Sequence, residues 1–355
     1  MSPRRVLAVA RRIASTFRRD HRSLGLLVVA PILVLSLVGA LWGSTTTQTV
    51  RVAVATDRTV GQPMVDALRR SGGLEVSTAT YAEGQDRLRA GEVDAVVSAG
   101  VATLRPDVVV DLEGSDPFRT ASALQAIQRG LLGAFSSAAT PSLRIQYVHG
   151  GAEYTLLDYL APLLVGLFAF FFTFLLSAVS FLRERTSGTL ERLLATPLRR
   201  GELVVGYLAG FGLFALIQAA IIIGFTVLVL NVRYRGNIGT IFLIEAMLVI
   251  VAVGLGLFVS AFARNELQAV QFIPVILLPQ IFLSGLLVPV DQLPDLLRPI
   301  AAVLPLTYAN EALRAVMIKG FPLDDPLIVR DVVVLAAFGT LAVAGAIASI
   351  RREVA

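Results

Sequence analysis

The chain has 355 residues, of which 55% are hydrophobic and only 16% are charged, and its mean hydropathy is +0.74. Soluble domains carry about 25% charged residues, so this composition excludes a soluble enzyme, a disordered tail protein and a fibrous repeat. It predicts a polytopic membrane protein. The sequence contains no cysteine, which excludes thiol catalysis, disulfides and cysteine-bound metals. In a membrane protein, a net charge of +5 reflects the placement of arginines beside the membrane and is not a sign of nucleic-acid binding.

The basic leader, residues 1–22, is predicted to be a cytoplasmic amphipathic helix. Its arginines form pairs that recur every seven residues and share one face, at Arg4/Arg5, Arg11/Arg12 and Arg18/Arg19. Apolar residues at helical spacing fall on another face, at Val6, Ala10, Ile13 and Phe17. This arrangement favours an interfacial helix in the headgroups of the anionic leaflet. The alternative is ordinary flanking charge without fixed structure.

Six segments are long and apolar enough to cross a bilayer as helices, since each offers about 20 predominantly apolar residues. They are Leu24–Gly43, Leu160–Leu182, Leu203–Leu230, Ile238–Ala263, Leu267–Val290 and Val332–Ile350. The predicted fold class is therefore a polytopic α-helical membrane protein with six transmembrane helices, the first at 23–43 and the other five within 153–352. We interpret the first segment as an uncleaved anchor, because its apolar run exceeds the roughly 7–15 residues of a signal sequence.

The arginines also predict the orientation of the six helices. Arginine-rich regions come before the first span and after the second, fourth and sixth spans, and six spans place all four regions on one side. The positive-inside rule makes that side cytoplasmic. The protein is therefore expected in the cytoplasmic (inner) membrane, with both termini on the cytoplasmic side. Arg233 and Arg235 argue against this topology, because it puts their loop outside.

Residues 44–152 have the composition of a soluble α/β unit and are predicted to form an extracytoplasmic domain inserted between helices 1 and 2. Strands and helices alternate, which predicts a small mixed sheet with helices packed on it. Three acids in this stretch, Asp111, Glu113 and Asp116, are interpreted as solvated loop acids, with a calcium site as the alternative. The predicted strands are Val50–Thr56, Leu74–Tyr81, Val93–Ser98, Val108–Leu112 and Arg144–His149, and the predicted helices are Val60–Ser71, Glu83–Arg89 and Pro117–Ala138.

The loop after the second span reads R-E-R-T-S-G-T-L-E-R-L-L-A-T-P over 183–197. Gly188 permits a break in the chain, Thr189 is predicted to cap a short helix, and Pro197 stops that helix. A short helix is therefore expected within 186–200, between two spanning helices.

This short helix has an apolar side formed by Leu190, Leu193 and Leu194 and a charged rim formed by Glu191 and Arg192. A rigid short helix held between two spanning helices suits the transfer of force from a cytoplasmic partner. Leu190 and Leu194 are one turn apart and are expected to face a groove on that partner. The alternative is a plain interhelical loop whose arginines serve only topology.

Prolines divide the stretch after the fifth span into pieces too short to cross a membrane, at Pro289, Pro294, Pro299 and Pro305. Irregular backbone at membrane depth is tolerated where protein or a water-filled cavity covers it. Residues 289–320 are therefore predicted to be an external re-entrant segment. The alternative is a pair of surface helices on the outer leaflet.

Glu245 is the one charged residue within the fourth apolar segment. A carboxylate at membrane depth is a functional hypothesis by default, and Glu245 is a candidate for the translocation path or for binding a cationic substrate. Its alternative is an interfacial carboxylate near the outer headgroups. Gln218 and Gln280 are weaker candidates for the same path, and with Gln271 they are also candidates for hydrogen bonds between helices.

Two stretches resemble the membrane subunits of ABC-2 type exporters, in the drug-efflux and sodium-efflux branch that carries a large extracytoplasmic α/β insert. The run from Glu184 to Pro197 is similar throughout to the family's E-R-x-x-G-T-L-E-x-L-x-x-T-P run. The second stretch is similar to the family's external re-entrant segment between spans five and six. Its matching residues are Ser284, Gly285, Pro289, Leu293, Pro294, the P-L-T-Y run at Pro305–Tyr308, Glu311 and Arg314.

The resemblance implies the permease subunit of an ATP-driven exporter, moving a hydrophobic drug, a lipid or a similar small molecule outward. It also implies a dimer with a second permease copy or homologue. The residues implied to couple the permease to an ATPase are Glu184, Gly188, Thr189, Leu190, Glu191, Leu193, Leu194 and Pro197.

No catalytic residue, metal ligand or nucleic-acid contact is predicted in this chain. A P-loop requires G-x-x-x-x-G-K-[ST], and the only lysine is Lys319. ATP and magnesium are therefore expected on a separate ABC ATPase subunit. The alternatives are a permease for a small cation such as sodium, and a non-transporting membrane anchor that displays residues 44–152.

Overall fold

A computed structural model describes residues 1–19, 25, 28–36, 50–57, 61–70, 74–102, 105–115, 117–134, 142–149, 151, 154, 156–263 and 266–350. The chain divides into two compact units, one made of Met1–Ala40 with Leu160–Ala355 and the other of Leu41–Tyr159. Half of the first predicted span, Leu24–Gly43, lies outside the described residues, as do Asp116 and the predicted helical residues 135–138.

The smaller unit is an α/β fold whose elements follow the order predicted from the sequence. Successive side chains of the strands alternate between the two faces of the sheet, so that in β1 Val52 and Val54 are buried on one face and Ala53 on the other. The elements are β1 (Val50–Ala55), α2 (Gly61–Arg70), β2 (Leu74–Ala79), α3 (Tyr81–Arg89), β3 (Ala95–Ala102), β4 (Arg105–Leu112), α4 (Pro117–Ala134) and β5 (Ser142–Tyr147).

The five strands form one mixed sheet in the order β2-β1-β3-β4-β5. β1 pairs in parallel with β2 and with β3, β3 pairs antiparallel with β4, and β4 pairs in parallel with β5. One face packs against α2 and α4, through residues such as Leu68 and Ile127. The other face packs against α3 through Leu88, which contacts a small cluster with Ala53 and Val96.

The interpretation of Asp111 and Glu113 as solvated loop acids is wrong. Both are buried, and Asp111 lies within β4. The Asp111 carboxylate accepts hydrogen bonds from the Tyr81 hydroxyl (3.0 Å) and from Gln85 Nε2 (2.6 Å). Glu113 accepts from the backbone N–H of Ser115 at 2.8 Å and from its hydroxyl at 2.6 Å. These carboxylates satisfy neighbouring donors, and among the described residues no group of side chains has the arrangement of a metal site.

The larger unit is helical. Four of its described helices are long and apolar enough to cross a membrane, over Leu157–Thr186, Arg200–Leu228, Ile238–Ser260 and Pro326–Ser349, and they match the second, third, fourth and sixth predicted spans. The elements are α1 (Pro3–Arg19), α5 (Leu156–Thr186), α6 (Thr189–Leu194), α7 (Arg200–Leu228), α8 (Ile238–Ser260), α9 (Glu266–Leu283), a 3₁₀ turn (Val290–Gln292), α10 (Arg298–Ala302), α11 (Pro305–Arg314), a π turn (Ala315–Lys319) and α12 (Pro326–Ser349).

The fifth predicted span is shorter than expected. α9 ends at Leu283, whereas the apolar pattern predicts a helix to Val290. The backbone turns at Gly285, whose φ of +81° lies in the left-handed region that favours glycine and cannot continue an α-helix. An apolar pattern does not register such a turn, because Leu286, Leu287 and Val288 continue the hydrophobic run beyond it.

The core of the helical unit lies around α8, which is buried along most of its length. Two glycines of α8 allow neighbouring helices to approach its backbone. A Cβ atom on Gly254 would lie 2.9 Å from the Cβ of Ala342 in α12, and one on Gly256 would lie 2.8 Å from the carbonyl oxygen of Phe174 in α5. Close backbone approach of this kind is how small residues stabilise helix pairs in membranes.

Candidate functional site

The loop between α5 and α7 contains the predicted short helix, α6. The helix begins after Gly188, whose φ of +70° lets the chain turn out of α5. The prediction that Thr189 caps the helix is wrong: Gly188 occupies the cap, and the Thr189 hydroxyl lies 2.9 Å from the Ser187 hydroxyl. At the other end, the Thr196 hydroxyl donates to the carbonyl of Leu193 at 2.6 Å, and Pro197 follows.

The apolar side of α6 packs on the protein itself. Leu190 is 6% exposed and belongs to a cluster that includes Phe181 of α5 and Tyr207 of α7. Leu193 and Leu194 are half-buried against the same cluster. The expectation that Leu190 faces a groove on a partner is therefore wrong. The physical reason is that so short a helix needs an anchor, and its leucines supply one.

The side of α6 left accessible is polar or small. Glu191, Arg192, Ala195 and Thr196 are exposed, as is Pro197. These residues, which we call the outer side of α6, are accessible to a partner protein.

α1 packs along α7, next to this loop. A Cβ atom on Gly206 would lie 2.6 Å from the Cβ of Val9, and one on Gly210 would lie 2.8 Å from the Cβ of Ile13. Val9 and Ile13 are buried there. The predicted helix is present. Its Val9 and Ile13 pack against α7, whereas the apolar face predicted from the sequence, which included Val6, Ala10 and Ile13, was expected to face lipid.

Buried Glu202, in the first turn of α7, anchors the start of α1. One carboxylate oxygen accepts from the backbone N–H of Ser2 at 2.6 Å, and the other accepts from the N–H of Arg199 at 3.0 Å. Arg5 lies 3.5 Å from the same carboxylate and donates to the carbonyl of Pro197 at 2.5 Å. A buried carboxylate is stable only when it is paired and hydrogen-bonded in this way.

Glu184 joins α5, α1 and α7. Its carboxylate forms an ion pair with Arg12 at 3.3 Å and accepts a hydrogen bond from the hydroxyl of Tyr207. The Tyr207 ring in turn packs edge-on against Phe181, at 5.2 Å between centroids.

The next residue, Arg185, reaches the end of α8. Its Nη1 donates to the carbonyls of Ser260 (2.8 Å) and Ala261 (2.9 Å). Carbonyls in the last turn of a helix lack intrahelical donors, and a guanidinium satisfies them with favourable charge. The E-R pair that begins the resemblance run thus fastens the loop to α1, α7 and α8.

Five residues of this region were not predicted from the sequence as site residues: Arg5, Arg12, Arg185, Glu202 and Tyr207. A signal for the first two was present, since Arg5 and Arg12 belong to the same seven-residue repeat and share one face. Glu202 accepts from Arg199 nearby, but its partner Ser2 on the side of α1 lies 200 positions away along the chain, so no local pattern points to that contact.

The second resemblance stretch folds back on the end of α9. Gln280 Oε1 accepts from the backbone N–H of Leu306 in the first turn of α11 at 3.1 Å. Asn310 Nδ2 donates to the carbonyl and to the hydroxyl of Ser284, at 3.1 and 3.0 Å. Arg314 reaches the carbonyl of Gly285 at 3.4 Å. Gln280, a candidate for the translocation path or for a hydrogen bond between helices, satisfies a donor at the start of α11.

The remaining residues of this stretch shape the turns around α11. Pro305 begins α11, where a missing N–H costs nothing. The Tyr308 hydroxyl donates to the carbonyl of Ala302 at 2.8 Å. Glu311 lies 2.7 Å from Arg330 of α12. Pro289 precedes the 3₁₀ turn, and Pro294 follows it.

Two of the polar candidates for the translocation path, Glu245 and Gln218, are buried among the helices. Glu245 is 0% exposed, and neither of its carboxylate oxygens makes a hydrogen bond with any residue that the structure describes. Gln218 is equally buried, and its Nε2 donates to the carbonyl of Phe168 at 3.4 Å. Asp331, which the sequence analysis did not single out, is also buried and accepts from Arg330 Nε at 2.8 Å.

The geometry thus defines a polytopic membrane protein in which one short interhelical helix is fixed to its neighbours and exposes a single side. The chain belongs to the ABC-2 family of transporter proteins, whose sequence profile matches residues 21–348. This family comprises the membrane components of ABC transporters.

Three relatives illustrate the similarity. The chain is 34% identical over 173 residues to ABC transporter G family member 20 of Dictyostelium discoideum, covering 49% of this chain and 24% of that protein. It is 29% identical over 147 residues to the probable multidrug ABC transporter permease YbhS of Escherichia coli (strain K12), covering 41% and 39%. It is 26% identical over 175 residues to the linearmycin resistance permease protein LnrN of Bacillus subtilis (strain 168), covering 49% and 45%. Each match spans less than half the length of the relative.

Proposed function

We propose that this chain is the permease subunit of an ATP-driven exporter, and that a separate ABC ATPase drives it by pushing on α6. The observation that carries the proposal is that Leu190 of α6 is buried in a cluster with residues of α1, α5 and α7. This cluster lies next to the end of α5, where Glu184 pairs with Arg12 of α1 and Arg185 bonds to the end of α8. A force on the outer side of α6 must therefore move several helices together. A plain connecting loop has no need of such fastening.

The proposed substrate is a hydrophobic drug, a lipid or a similar small molecule, carried outward across the cytoplasmic membrane. Two of the relatives are named as a multidrug permease and a linearmycin resistance permease, which supports this class. A small cation such as sodium is the alternative cargo. A membrane anchor that only displays the α/β unit would not require α6 to be held in place by the neighbouring helices.

The proposed complex contains two permease chains, each bound to an ATPase subunit that supplies ATP and magnesium. This chain contributes no P-loop, because its only lysine, Lys319, is not followed by serine or threonine. We place the ATPase on the outer side of α6, where Glu191 and Arg192 offer charges of both signs around Ala195.

We further propose that the chain spans the membrane six times, with both termini and α6 inside and the α/β unit outside. The external segment, 289–320, then enters from outside without crossing. Support comes from the arginine distribution and from the short pieces α10 and α11, neither of which is long enough to span.

Glu245 is proposed to serve the transport path. A carboxylate without a partner costs several kcal/mol at membrane depth unless it is neutral, paired or hydrated. Helix movements that hydrate this site would change the state of Glu245 during the transport cycle, and a cationic group of the cargo is a second partner that the site could accept.

The coupling proposal predicts that Ala195→Trp blocks binding of the ATPase. The bulky ring would occupy the outer side of α6 without disturbing the buried side. We expect association to weaken by at least about tenfold, or about 1.4 kcal/mol, with export lost, measured by co-purification of the ATPase and by an efflux assay. Ala8→Trp, at an exposed alanine of α1, is the matched control and should retain both properties. Normal association of the Ala195 variant would contradict the placement.

The topology predicts which single cysteines an impermeant thiol reagent can reach in intact cells. Gln146→Cys, exposed on β5, should react before lysis, and Ala195→Cys only after lysis. The natural chain has no cysteine, so it provides the background. Labelling of Ala195→Cys in intact cells would place α6 on the outside and refute the proposal.

The role of Glu245 predicts that Glu245→Gln reduces export several-fold while the protein still inserts and binds its ATPase. The change keeps the shape of the side chain and removes its ability to ionise. Thr226→Val is the control, because it alters another buried and unpaired polar group without affecting a titratable one. Unchanged efflux from the Glu245 variant would show that the carboxylate is structural.

A further inference from the structure

Four buried side chains of the helical unit present oxygen atoms that receive no hydrogen bond from the described part of the chain. They are the amide oxygens of Gln218 and Asn310, both carboxylate oxygens of Glu245, and Oδ2 of Asp331. Each of these residues is at most 2% exposed. Because amide and ionised carboxylate oxygens only accept hydrogen bonds, all four residues lack the same thing, a donor.

The orientation of the two amides follows from their nitrogen atoms. Gln218 Nε2 donates to the carbonyl of Phe168 at 3.4 Å, and Asn310 Nδ2 donates to the carbonyl and the hydroxyl of Ser284. Turning either amide over would set its oxygen against a carbonyl oxygen. The packing therefore requires that the amide oxygens be the atoms left without a donor.

Three of the four residues lie at one level of the helical unit, that of Gly166 and Phe168 on α5. Gln218 reaches the carbonyl of Phe168, and Asn310 Oδ1 lies 3.3 Å from the position of a Cβ atom on Gly166. The ends of α5 and α8 are joined through Arg185, so the two helices run in the same direction. Followed back from that junction, their register brings Glu245 within about one helical turn of this level.

The fourth residue, on α12, lies near the same level. A Cβ atom on Gly254 of α8 would meet Ala342 of α12 at 2.9 Å, and one on Gly339, a turn earlier on α12, would meet Ile250, a turn earlier on α8, at 3.0 Å. Two turns earlier still, this register brings Asp331 within about one turn of the other three residues. We call the four residues the acceptor layer.

The negative charge of the acceptor layer is only partly compensated. Arg330 donates to Asp331 at 2.8 Å but also pairs with Glu311 at 2.7 Å, so one guanidinium serves two carboxylates. Glu245 makes no hydrogen bond with any described residue. The side chains around this level, such as Phe168 and Leu248, belong to the apolar core. A ligand that carries positive charge and N–H donors on an apolar body would complement both the oxygens and their surroundings.

We propose that the acceptor layer binds the charged group of the cargo, and that the cargo is an organic amine in its protonated form. The inference rests on the proposed function and narrows its substrate class to amphipathic cations. A protonated amine brings positive charge for the carboxylates and up to three N–H donors for the amide oxygens. A neutral molecule would leave the carboxylates uncompensated, and an anion would be repelled by them. Because the layer is buried in this structure, cargo enters it when the helices move apart during the transport cycle.

Three compounds with one aromatic body and different charge test the site: a naphthylmethylamine, the matching alcohol and naphthoate. We expect the full chain in lipid nanodiscs to bind the amine at least about tenfold more tightly than the alcohol, and naphthoate most weakly. Binding is measured by equilibrium dialysis, with protein-free nanodiscs as the background for partition into lipid. Equal affinity for the three compounds would overturn the proposal.

Two variants remove the charge of the layer and keep the shape of its side chains. In Asp331→Asn and in Glu245→Gln, the affinity for the amine should fall to about that for the alcohol. Neither change should unfold the protein, since each removes a buried charge and Arg330 retains Glu311. Asp295→Asn is the matched control and should keep the full preference, because it removes a carboxylate that is 92% exposed. An undiminished preference in both layer variants would refute the site.

Two further measurements separate the alternatives. Sodium chloride should displace the amine no better than potassium chloride at equal ionic strength, and selective displacement by sodium would reassign the layer to a small cation. Efflux of the three compounds from cells distinguishes this proposal from the proposed function. An amine that binds with the expected preference but is never exported would count against the exporter. Equal export of amine and alcohol, without a binding preference, would refute only the role of the acceptor layer.

Discussion

A helix of six residues cannot hold its own position, because helix formation needs more turns than that to offset its nucleation cost. α6 must therefore be held by tertiary contacts, and the structure of this region follows from that requirement. Leu190 is buried in the cluster formed by α1, α5 and α7. The flanking residues Glu184 and Arg185 complete the attachment from the other side, one to α1 and α7 and the other to the end of α8.

The role of α1 follows from the same constraint. Glycines at 206 and 210 let α1 lie directly against α7, so that Arg5 and Arg12 reach acceptors on both sides of the loop. The basic face that suggested a lipid surface is in part a row of ion-pair partners for Glu202 and Glu184. Ion pairs with one buried carboxylate, as at Glu202, are costly to break because they leave a charge without compensation. α1, α6 and α7 are thereby joined into one body, on which an ATPase could act.

Periodicity predicts elements better than it predicts their neighbours. The strands of the α/β unit were predictable because their residues alternate between two faces, and the order from Val50 to Tyr147 agrees with the structure. Four spanning helices were predictable from apolar length alone. A local pattern does not indicate which surface covers an apolar face, because the partners are distant in sequence. The burial of Leu190 and the docking of Val9 depend on residues far away in the chain. Single backbone conformations, such as those of Gly188 and Gly285, also escape a hydropathy pattern.

The central claim, that α1 and α6 form one body fixed on α7, is tested most directly by a distance measured between them. Spin labels on Leu7→Cys and Ala195→Cys, both exposed positions in a chain without other cysteines, report that distance by double electron–electron resonance. We expect one narrow distance distribution in the purified permease without its ATPase, and a broad distribution when Arg5 and Arg12 are both replaced by Glu. A broad distribution in the otherwise unaltered chain, or a narrow one that survives the double replacement, would contradict it.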